Sequence, residues 1–213
     1  MTTVACIVIA TEKRRALVER RVMPSILDQG FDEVLLVGDW LAPMSDDLSR
    51  SYRYACVESF QRTTNDALVR RDVGTLMTKA PVICYLCDDH ALAPTFLATL
   101  REVLDEPWDV LVPNRFCTRG FLKVGDPEEN AEWKRFDLNN GERDGYCGGH
   151  AGVFRRSVIT RRPWAAHSHT PYWDARSSYA MRLAGARFVW HPRAGIAIED
   201  IEYEVNPNAQ PWL

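Results

Sequence analysis

The chain has 213 residues, with 26 basic and 29 acidic side chains and a formal net charge of -3 at pH 7. This length suits one domain with a core large enough to fold without disulfides, and the charge balance excludes a protein that coats nucleic acid or an anionic membrane over its whole surface. The N-terminus lacks the basic region of a signal peptide and no apolar run approaches about 18 residues, so we expect a cytoplasmic protein that does not bind membranes.

Strands and helices alternate along the first half of the sequence. Residues 4–10 form a continuous apolar run, which is typical of a strand buried on both faces of a parallel sheet. The predicted elements that follow are a helix at 13–27, strands at 33–38 and 52–57, a helix at 64–79, a strand at 82–87, a helix from Pro94 to about 104 and a strand at 109–112. This alternation predicts an open α/β sheet.

The second half is less regular. Residues 113–147 are rich in glycine and polar residues and show little periodicity, and a stretch of this kind in a small domain is usually functional. A helix at 172–183, a strand at 187–190 and a segment at 195–198 follow. Since no repeat or linker separates the two halves, we expect a single domain, 1–213.

The cysteines and tryptophans stand out in the composition. The six cysteines lie mostly in apolar runs without regular spacing, which favours free, buried thiols in a reducing compartment over disulfides. Cys84 and Cys87 form a C-x-x-C pair, but no second pair completes a zinc site, so we predict a structural role rather than zinc or redox chemistry. Seven tryptophans exceed the needs of a core, which suggests platforms for a flat ligand or a sugar ring.

Polar residues follow the predicted parallel strands at the edge where such sheets bind ligands. Thr11 follows the first strand, Asp39 the second, and Asp88-Asp89-His90 the strand at 82–87. The first strand-to-helix turn contains no glycine, so it lacks the phosphate cradle of dinucleotide and P-loop sites. Two adjacent carboxylates can instead hold Mg²⁺ or Mn²⁺, which would neutralise a diphosphate; the alternative is a solvated turn or a helix cap.

Several motifs, in this order and spacing, resemble those of nucleotide-sugar glycosyltransferases of the GT-A fold, particularly the family-2-like group. The motifs are Pro-Ser-Ile-Leu-Asp-Gln at 24–29, Glu-Val-Leu-Leu-Val-Gly-Asp at 33–39, Arg-Asp-Val-Gly at 71–74, Tyr-Leu-Cys-Asp-Asp-His at 85–90, the glycine-rich run into Phe-Arg-Arg at 148–156, and Trp-Asp at 173–174. The resemblance implies a single Rossmann-like, open, mostly parallel sheet flanked by helices. Residues 1–112 would bind the nucleotide sugar and residues 113–213 the acceptor.

The resemblance also implies donor-binding residues. Thr11 and Asp39 would contact the nucleoside, and Arg71 would lie near the diphosphate or the sugar. Asp72 stands where the family usually has asparagine, and we include it in the donor site.

The metal site is implied by the D-x-D strand end of the family. Cys87 replaces the first aspartate of that motif, so Asp88 is the expected substitute for the ribose contact. Asp89 matches the aspartate that coordinates Mn²⁺ or Mg²⁺. A further ligand from near the C-terminus would be His191, Glu199 or Asp200, and His191 could also be a structural residue after the last strand.

The catalytic base implied by the resemblance is Asp174. It is the surviving carboxylate of the family's E-D motif, and it would deprotonate the acceptor hydroxyl if the enzyme inverts at the anomeric carbon. The alternative is a structural polar residue near a helix start. Gly148, Gly149, Trp173 and His169 are the candidate acceptor-binding residues.

The predicted function is metal-dependent transfer of a sugar from a nucleoside diphosphate sugar to a hydroxyl acceptor. Arginine clusters, one at 155–162, make a modified base in DNA one candidate acceptor beside glycans and proteins, although the acid-rich segment 126–144 would repel phosphates. Two alternatives are a sugar-nucleotide pyrophosphorylase, which needs the missing glycine-rich loop, and a non-catalytic protein that binds sugar or nucleic acid. The oligomeric state is not predicted.

Overall fold

The computed structural model describes residues 2–41, 51–57, 66–117, 151–164, 173–190 and 197–200. The strands are β1 (Val4–Ile9), β2 (Glu33–Gly38), β3 (Arg53–Cys56), β4 (Val82–Cys87), β5 (His90–Leu92), β6 (Val110–Val112), β7 (Asn114–Cys117), β8 (Ala151–Arg155), β9 (Phe188–Trp190) and β10 (Ala197–Asp200). The helices are α1 (residues 12–27), α2 (Asp66–Met77), α3 (Phe96–Glu102), α4 (Arg156–Arg161) and α5 (Trp173–Leu183).

Seven strands form one mixed sheet in the order β3-β2-β1-β4-β8-β6-β9. The four strands from β3 to β4 are parallel, β8 is antiparallel to both β4 and β6, and β6 and β9 are parallel. A second sheet of three short strands has the order β5-β10-β7. The predicted open, mostly parallel α/β sheet is confirmed.

Strand β1 lies inside the sheet, between β2 and β4, and is buried on both faces. Alternate side chains point to opposite faces of a strand, so β1 contributes to two separate cores. Val4, Cys6 and Val8 pack with apolar residues of α1 and α3, whereas Ile7 and Ile9 pack with the apolar side of α2 and with Phe154, Trp164 and Met181. The continuous apolar run therefore predicted the position of this strand in the sheet.

The order of the strands creates a switch point beside β1. The chain leaves β1 through α1 and returns as β2 on one side, whereas β4 pairs with the other side of β1. Ligands of open α/β sheets bind in the crevice outside the carboxyl ends of two such strands. A ligand-binding site is therefore expected at the carboxyl ends of β1 and β4.

Helix α1 is irregular along its length. It begins with a 3-10 turn (Glu12–Arg14) and one short α-helical segment, passes through a π-helical turn (Val18–Val22) and ends as α-helix (Met23–Leu27). Pro24 lacks an N–H, and its ring crowds the carbonyl four residues earlier, which accounts for the widened turn directly before it. The predicted helix at 13–27 is confirmed, with this distortion added.

Strands β5, β7 and β8 and helix α4 were not predicted from the sequence, and α3 begins later than expected. Strand β8 inserts antiparallel between β4 and β6, and its register pairs Val153 with Cys84. Hydrophobic periodicity does not predict this strand, because it has only five residues and follows a glycine-rich segment. Pro94 was expected to open a helix, but α3 begins at Phe96, after Thr95 in the N-cap position.

Three tryptophans and four cysteines lie where the structure describes side chains. Trp40, Trp108 and Trp164 are buried in the two cores, so these tryptophans are not exposed ligand platforms as the composition suggested. Among the described cysteines, Cys6, Cys56, Cys84 and Cys87 are free thiols. Cys84 and Cys87 are three residues apart on β4 and point to opposite faces, which confirms the structural interpretation of the C-x-x-C pair.

No helix within the described residues is both long enough and apolar enough to cross a lipid bilayer.

Gly74 permits close packing of α2 on the sheet. A Cβ at this position would lie 2.5 Å from Ile7 Cγ2, which is too close for any real contact. Gly74→Ala should therefore lower the free energy of unfolding by about 1–2 kcal/mol, since overpacking outweighs the better helix propensity of alanine. Urea denaturation checks this value.

The matched control is Leu76→Ala on the same helix, where the leucine side chain is exposed to solvent. It should change the stability by no more than about 0.5 kcal/mol. Equal stability of Gly74→Ala and the wild type would show that α2 can move away from β1 at little cost.

Candidate active site

The carboxyl ends of β1, β2 and β4 meet at one edge of the sheet. Thr11 donates from its backbone N (2.8 Å) and from Oγ1 (2.7 Å) to Asp88 Oδ2. The backbone N of Glu12 donates to Asp39 Oδ1 over 2.6 Å. The sequence predicted that Thr11, Asp39 and Asp88 would gather at this edge, and the structure brings them together.

These contacts use the backbone N–H groups of the first strand-to-helix turn. In phosphate-binding loops such groups point at the ligand. Here the N–H groups of Thr11 and Glu12 already donate to the carboxylates Asp88 and Asp39. The turn therefore offers no anion cradle, which agrees with its lack of glycine.

Arg70 holds Asp39 from the side of α2. Its Nη2 donates to Asp39 Oδ2 over 3.1 Å, and its other nitrogens lie 3.4 Å from the carbonyl oxygens of Ala10 and Val57. The Arg70 side chain is almost fully buried. The Arg-Asp-Val-Gly motif at 71–74 predicted the neighbouring Arg71 instead. The position of Arg70 directly before this motif on α2 was a signal for it.

Arg14 bridges the two carboxylates at the end of β4. Its Nη1 lies 3.0 Å from Asp88 Oδ1 and 2.5 Å from Asp89 Oδ2. Burial acts to lower the pKa of Arg14, but the carboxylates of Asp89 and Asp88 outweigh burial and raise it above its usual value. Arg14 was not among the site residues predicted from the sequence, although the basic run in the glycine-free first turn was a signal of local positive charge.

His90 completes the group. Its Nδ1 lies 2.5 Å from Asp89 Oδ1, so both oxygens of Asp89 have partners. Asp88, Asp89 and His90 are all buried, which is unusual for carboxylates and requires such pairing. The two carboxylates therefore have fixed positions at the strand end.

The donor atoms at this edge fit a divalent cation. Carboxylate oxygens are the ligands that Mg²⁺ and Mn²⁺ prefer, and the Arg14 guanidinium shows that a positive charge is accommodated between Asp88 and Asp89. Within the described part of the chain, no group of three or more His, Cys, Asp or Glu residues is placed to hold a metal. A complete coordination shell would need ligands beyond these two.

The C-terminal strand β10 runs beside this edge. It pairs antiparallel with β5, and Asp200 is the register partner of His90. Glu199 and Asp200 are therefore placed next to the Asp89 segment, although their side chains lie outside the described part. His191, the other ligand considered from the sequence, lies outside the described residues altogether.

Arg71 lies beneath the strand end rather than in the crevice itself. The guanidinium sits 5.3 Å from the ring centre of Tyr85 and 5.0 Å from that of Trp164, and the side chain is 1% exposed. Its Nη2 lies 3.7 Å from Cys87 Sγ. Burial raises the pKa of Cys87 to about 12, so Arg71 faces a neutral thiol where the resembling family has a carboxylate.

Asp72 has a structural contact. Its Oδ1 accepts a hydrogen bond of 2.9 Å from the backbone N of Trp164. This contact ties α2 to the segment that follows α4. Asp72 was assigned to donor binding from the resemblance, and that assignment stays a prediction.

The acceptor and base residues fall mostly outside the described part of the chain. Gly148, Gly149 and His169 lie outside it. Trp173 and Asp174 are the first two residues of α5, but their side chains are not among those described. The structure confirms a helix where the sequence predicted one, directly around the candidate base.

Several clustered arginines have internal partners. Arg70 and Arg71 are buried, Arg155 packs on the ring of Trp108 at 4.1 Å and donates to the Leu104 carbonyl, and Arg53 donates to the Met77 carbonyl over 2.6 Å. These contacts account for Arg70, Arg71 and Arg155 by packing, whereas Arg53, Arg161 and Arg162 are exposed.

The free thiols should differ in reactivity. Cys6 is fully buried in β1, and burial raises its pKa well above the usual value, so the thiol stays neutral and inaccessible at pH 8. Cys56, at the end of β3, is exposed. Iodoacetamide at pH 8 should therefore modify Cys56 and leave Cys6 unmodified, as measured by peptide mass spectrometry. Modification of both at similar rates would show that β1 opens readily; unfolding in urea is the positive control.

Comparison with known proteins finds no matching family model and no matching curated protein. Solved structures do match. The crystal structure of S. aureus TarS 1-349 superposes with a TM-score of 0.67 at 14% identity, covering 95% of this chain and 61% of that one. The mannosyltransferase PcManGT from Pyrobaculum calidifontis, in complex with GDP-Man and Mn²⁺, has a TM-score of 0.62 at 14% identity and covers 94% and 57% of the two chains.

A further structure is S. aureus TarS 1-349 in complex with UDP-GlcNAc, with a TM-score of 0.61 at 12% identity and coverage of 90% of this chain and 56% of that one. The chain thus spans about three fifths of the length of these structures. The match extends over almost the whole chain, which confirms the resemblance in fold to the GT-A glycosyltransferases that the motifs implied.

Proposed function

We propose that the protein is a glycosyltransferase that moves a sugar from a nucleoside diphosphate sugar to a hydroxyl group with the help of a divalent metal ion. The observation that carries the proposal is the convergence of Thr11, Asp39, Asp88 and Asp89 at the switch point between β1 and β4. That edge is the ligand-binding edge of open α/β sheets. Two structures with the same fold were solved with nucleotide sugars, UDP-GlcNAc and GDP-Man.

The donor nucleoside would bind beside Asp39 and Thr11. Asp39 is held by Arg70 and by the backbone of Glu12, yet its side chain is 20% exposed and can still accept from a base or ribose. Arg71 would support the diphosphate end from below the strand end of β4. Asp88 would contact the ribose, which is the role of the family aspartate that Cys87 replaces here. Asp72 would contribute indirectly, because its hydrogen bond to the backbone of Trp164 holds α2 in position.

The metal would be held by Asp89, with Asp88 beside it and with His191, Glu199 or Asp200 from the C-terminal part. When bound, Mn²⁺ or Mg²⁺ supplies positive charge that offsets the charge of a leaving diphosphate. Asp200 in β10 is the register partner of His90, which places β10 next to Asp89 and supports a ligand from this strand. The mannosyltransferase of the same fold contains Mn²⁺.

The proposed reaction is a direct displacement with inversion. The acceptor oxygen forms a bond to the anomeric carbon while the bond from that carbon to the diphosphate oxygen breaks, and the diphosphate leaves with the electron pair. Asp174 takes the proton of the acceptor hydroxyl. What supports this role is the match to the E-D motif, in which Asp174 is the second residue of α5.

The acceptor would bind to the 113–213 half of the domain. Gly148, Gly149, Trp173 and His169 are its candidate contacts. A glycan or protein hydroxyl is the first candidate. Arg70, Arg71 and Arg155 make internal contacts, so only the exposed Arg161 and Arg162 of the described clustered arginines near the acceptor half are left for a DNA backbone.

A sugar-nucleotide pyrophosphorylase is less well supported. Such an enzyme needs free backbone N–H groups after the first strand, and those of Thr11 and Glu12 already donate to Asp88 and Asp39. A non-catalytic binding protein would bind donor or acceptor without turnover, so turnover separates it from a transferase.

The test is a panel of nucleotide sugars with Mn²⁺ or Mg²⁺ and a mixture of hydroxyl acceptors, including glycans, a protein extract and hydroxymethylated DNA. We expect release of free nucleoside diphosphate from one donor and incorporation of labelled sugar into one acceptor class. Release of pyrophosphate from a nucleoside triphosphate and a sugar phosphate would favour the pyrophosphorylase. Absence of both binding and turnover across the donors would refute the transferase.

A further inference from the structure

The Arg14 guanidinium occupies the position between two carboxylates where a cation would act. Its Nη1 contacts both Asp88 Oδ1 and Asp89 Oδ2, at 3.0 and 2.5 Å. The two carboxylates carry two negative charges and Arg14 carries one positive charge, so the three groups together are close to singly negative. A divalent cation added to this group would meet the guanidinium at short range and repel it.

The carboxylates are held in place independently of Arg14. Asp88 also accepts two hydrogen bonds from Thr11, and Asp89 Oδ1 contacts His90. The side chains of Asp88 and Asp89 are 8% and 10% exposed, whereas the Arg14 side chain is 25% exposed. The pair would therefore keep its geometry if the guanidinium left.

Arg14 is placed to move. It is the last residue of the 3-10 turn (Glu12–Arg14) at the start of α1, and its side chain is 25% exposed while it contacts the carboxylates. A planar guanidinium binds phosphate oxygens through paired N–H groups at least as well as it binds carboxylates. A diphosphate arriving at this edge would thus compete with Asp88 and Asp89 for the same guanidinium.

We propose that Arg14 is an internal counter-ion that couples metal binding to diphosphate binding: it closes the Asp88–Asp89 pair in the free protein and transfers to the diphosphate when the metal enters. The inference rests on the proposed function for the metal position at Asp89 and for the source of the diphosphate. Linkage requires the effect to be reciprocal, so the metal should strengthen diphosphate binding and the diphosphate should strengthen metal binding.

The first test is binding of Mn²⁺ alone, followed by the electron paramagnetic resonance signal of free Mn²⁺. Wild-type protein should bind Mn²⁺ weakly, and Arg14→Met should bind it on the order of tenfold more tightly, because loss of the guanidinium makes the group one charge more negative. The matched control is Arg15→Met, which removes the same charge from the neighbouring residue, whose guanidinium pairs with Glu19 instead. It should behave like the wild type.

The second test uses inorganic pyrophosphate at saturating Mn²⁺, measured by calorimetry. Arg14→Met should bind pyrophosphate on the order of tenfold more weakly than the wild type, because the phosphate oxygens lose a charge-assisted partner. The same variant thus gains affinity for the metal and loses affinity for the diphosphate. A variant that merely damages the fold would lose both.

Arg14→Gln is the second variant, since its amide can still donate to one carboxylate and disturbs the fold less. Mn²⁺ should raise the melting temperature of both variants more than that of the wild type, and adding Asp89→Asn should remove this gain. Equal Mn²⁺ affinity in the wild type and both variants would overturn the proposal. Neither Mn²⁺ nor pyrophosphate contains a sugar. If the protein gives the expected results with these two probes but neither binds nor turns over any nucleotide sugar, the transferase proposal is refuted and the counter-ion role of Arg14 is not.

Discussion

Asp174→Asn should reduce sugar transfer by about a hundredfold to ten-thousandfold, the usual contribution of general base catalysis. Asparagine keeps the size of the side chain but cannot take a proton from the acceptor hydroxyl. Donor binding should be nearly unchanged, because the donor edge is built by β1, β2 and β4, and Asp174 lies in α5. Initial rates of labelled sugar transfer, with donor affinity measured separately, check both parts.

The alternative role for Asp174 is structural. A carboxylate in the first turn of a helix interacts favourably with the helix dipole, and its loss would lower stability by about 0.3–1 kcal/mol without abolishing transfer. Asp28→Asn removes an exposed carboxylate elsewhere and is the matched control for the change in charge. An active Asp174→Asn enzyme with reduced stability would reject the base and support the structural role.

Asp89→Asn should lower metal-dependent transfer by roughly a hundredfold or more, because it removes the carboxylate expected to hold the metal. Asp89 is buried and both its oxygens have partners, so the amide must face either Arg14 or His90 with an N–H group. Some loss of stability should follow from that mismatch. Transfer measured over a range of Mn²⁺ concentrations shows whether the variant needs more metal.

The control for Asp89→Asn is Asp105→Asn, an exposed aspartate after α3. It should retain wild-type activity at every Mn²⁺ concentration. If Asp89→Asn were folded and kept both its rate and its Mn²⁺ dependence, the metal would not bind at the end of β4. A thermal melt of the variant separates loss of the fold from loss of the site.

Much of the donor-side architecture could be predicted because local patterns and topology agree. The apolar runs at β1, β2 and β4 have the length and continuity of strands buried on both faces. The β1–β2 pairing follows from a short crossover, whereas β4 returns past β2 to pair with the other side of β1. Since parallel strands end at the same edge, the residues after them had to meet. Thr11, Asp39 and Asp88 were found in this way.

Other features have no local pattern to reveal them. Strand β8 is short and pairs with β4 and β6 across large separations in the sequence. Arg70 and Arg71 are neighbours on α2, and their order alone does not tell which one reaches Asp39. Successive residues of a helix point about 100° apart, so the rotation of α2 on the sheet decides.

By itself, the sequence determined the mild net charge, the α/β class, the buried strands and the edge at which chemistry-bearing side chains collect, because these follow from hydrophobic periodicity and from the direction of parallel strands. Only the tertiary structure decided how those side chains are paired. Asp88 and Asp89 share the guanidinium of Arg14, 74 and 75 residues away in sequence. Electrostatic pairing depends on distances of a few ångströms in the folded structure, so residues far apart in sequence can pair without any periodic pattern that would predict it.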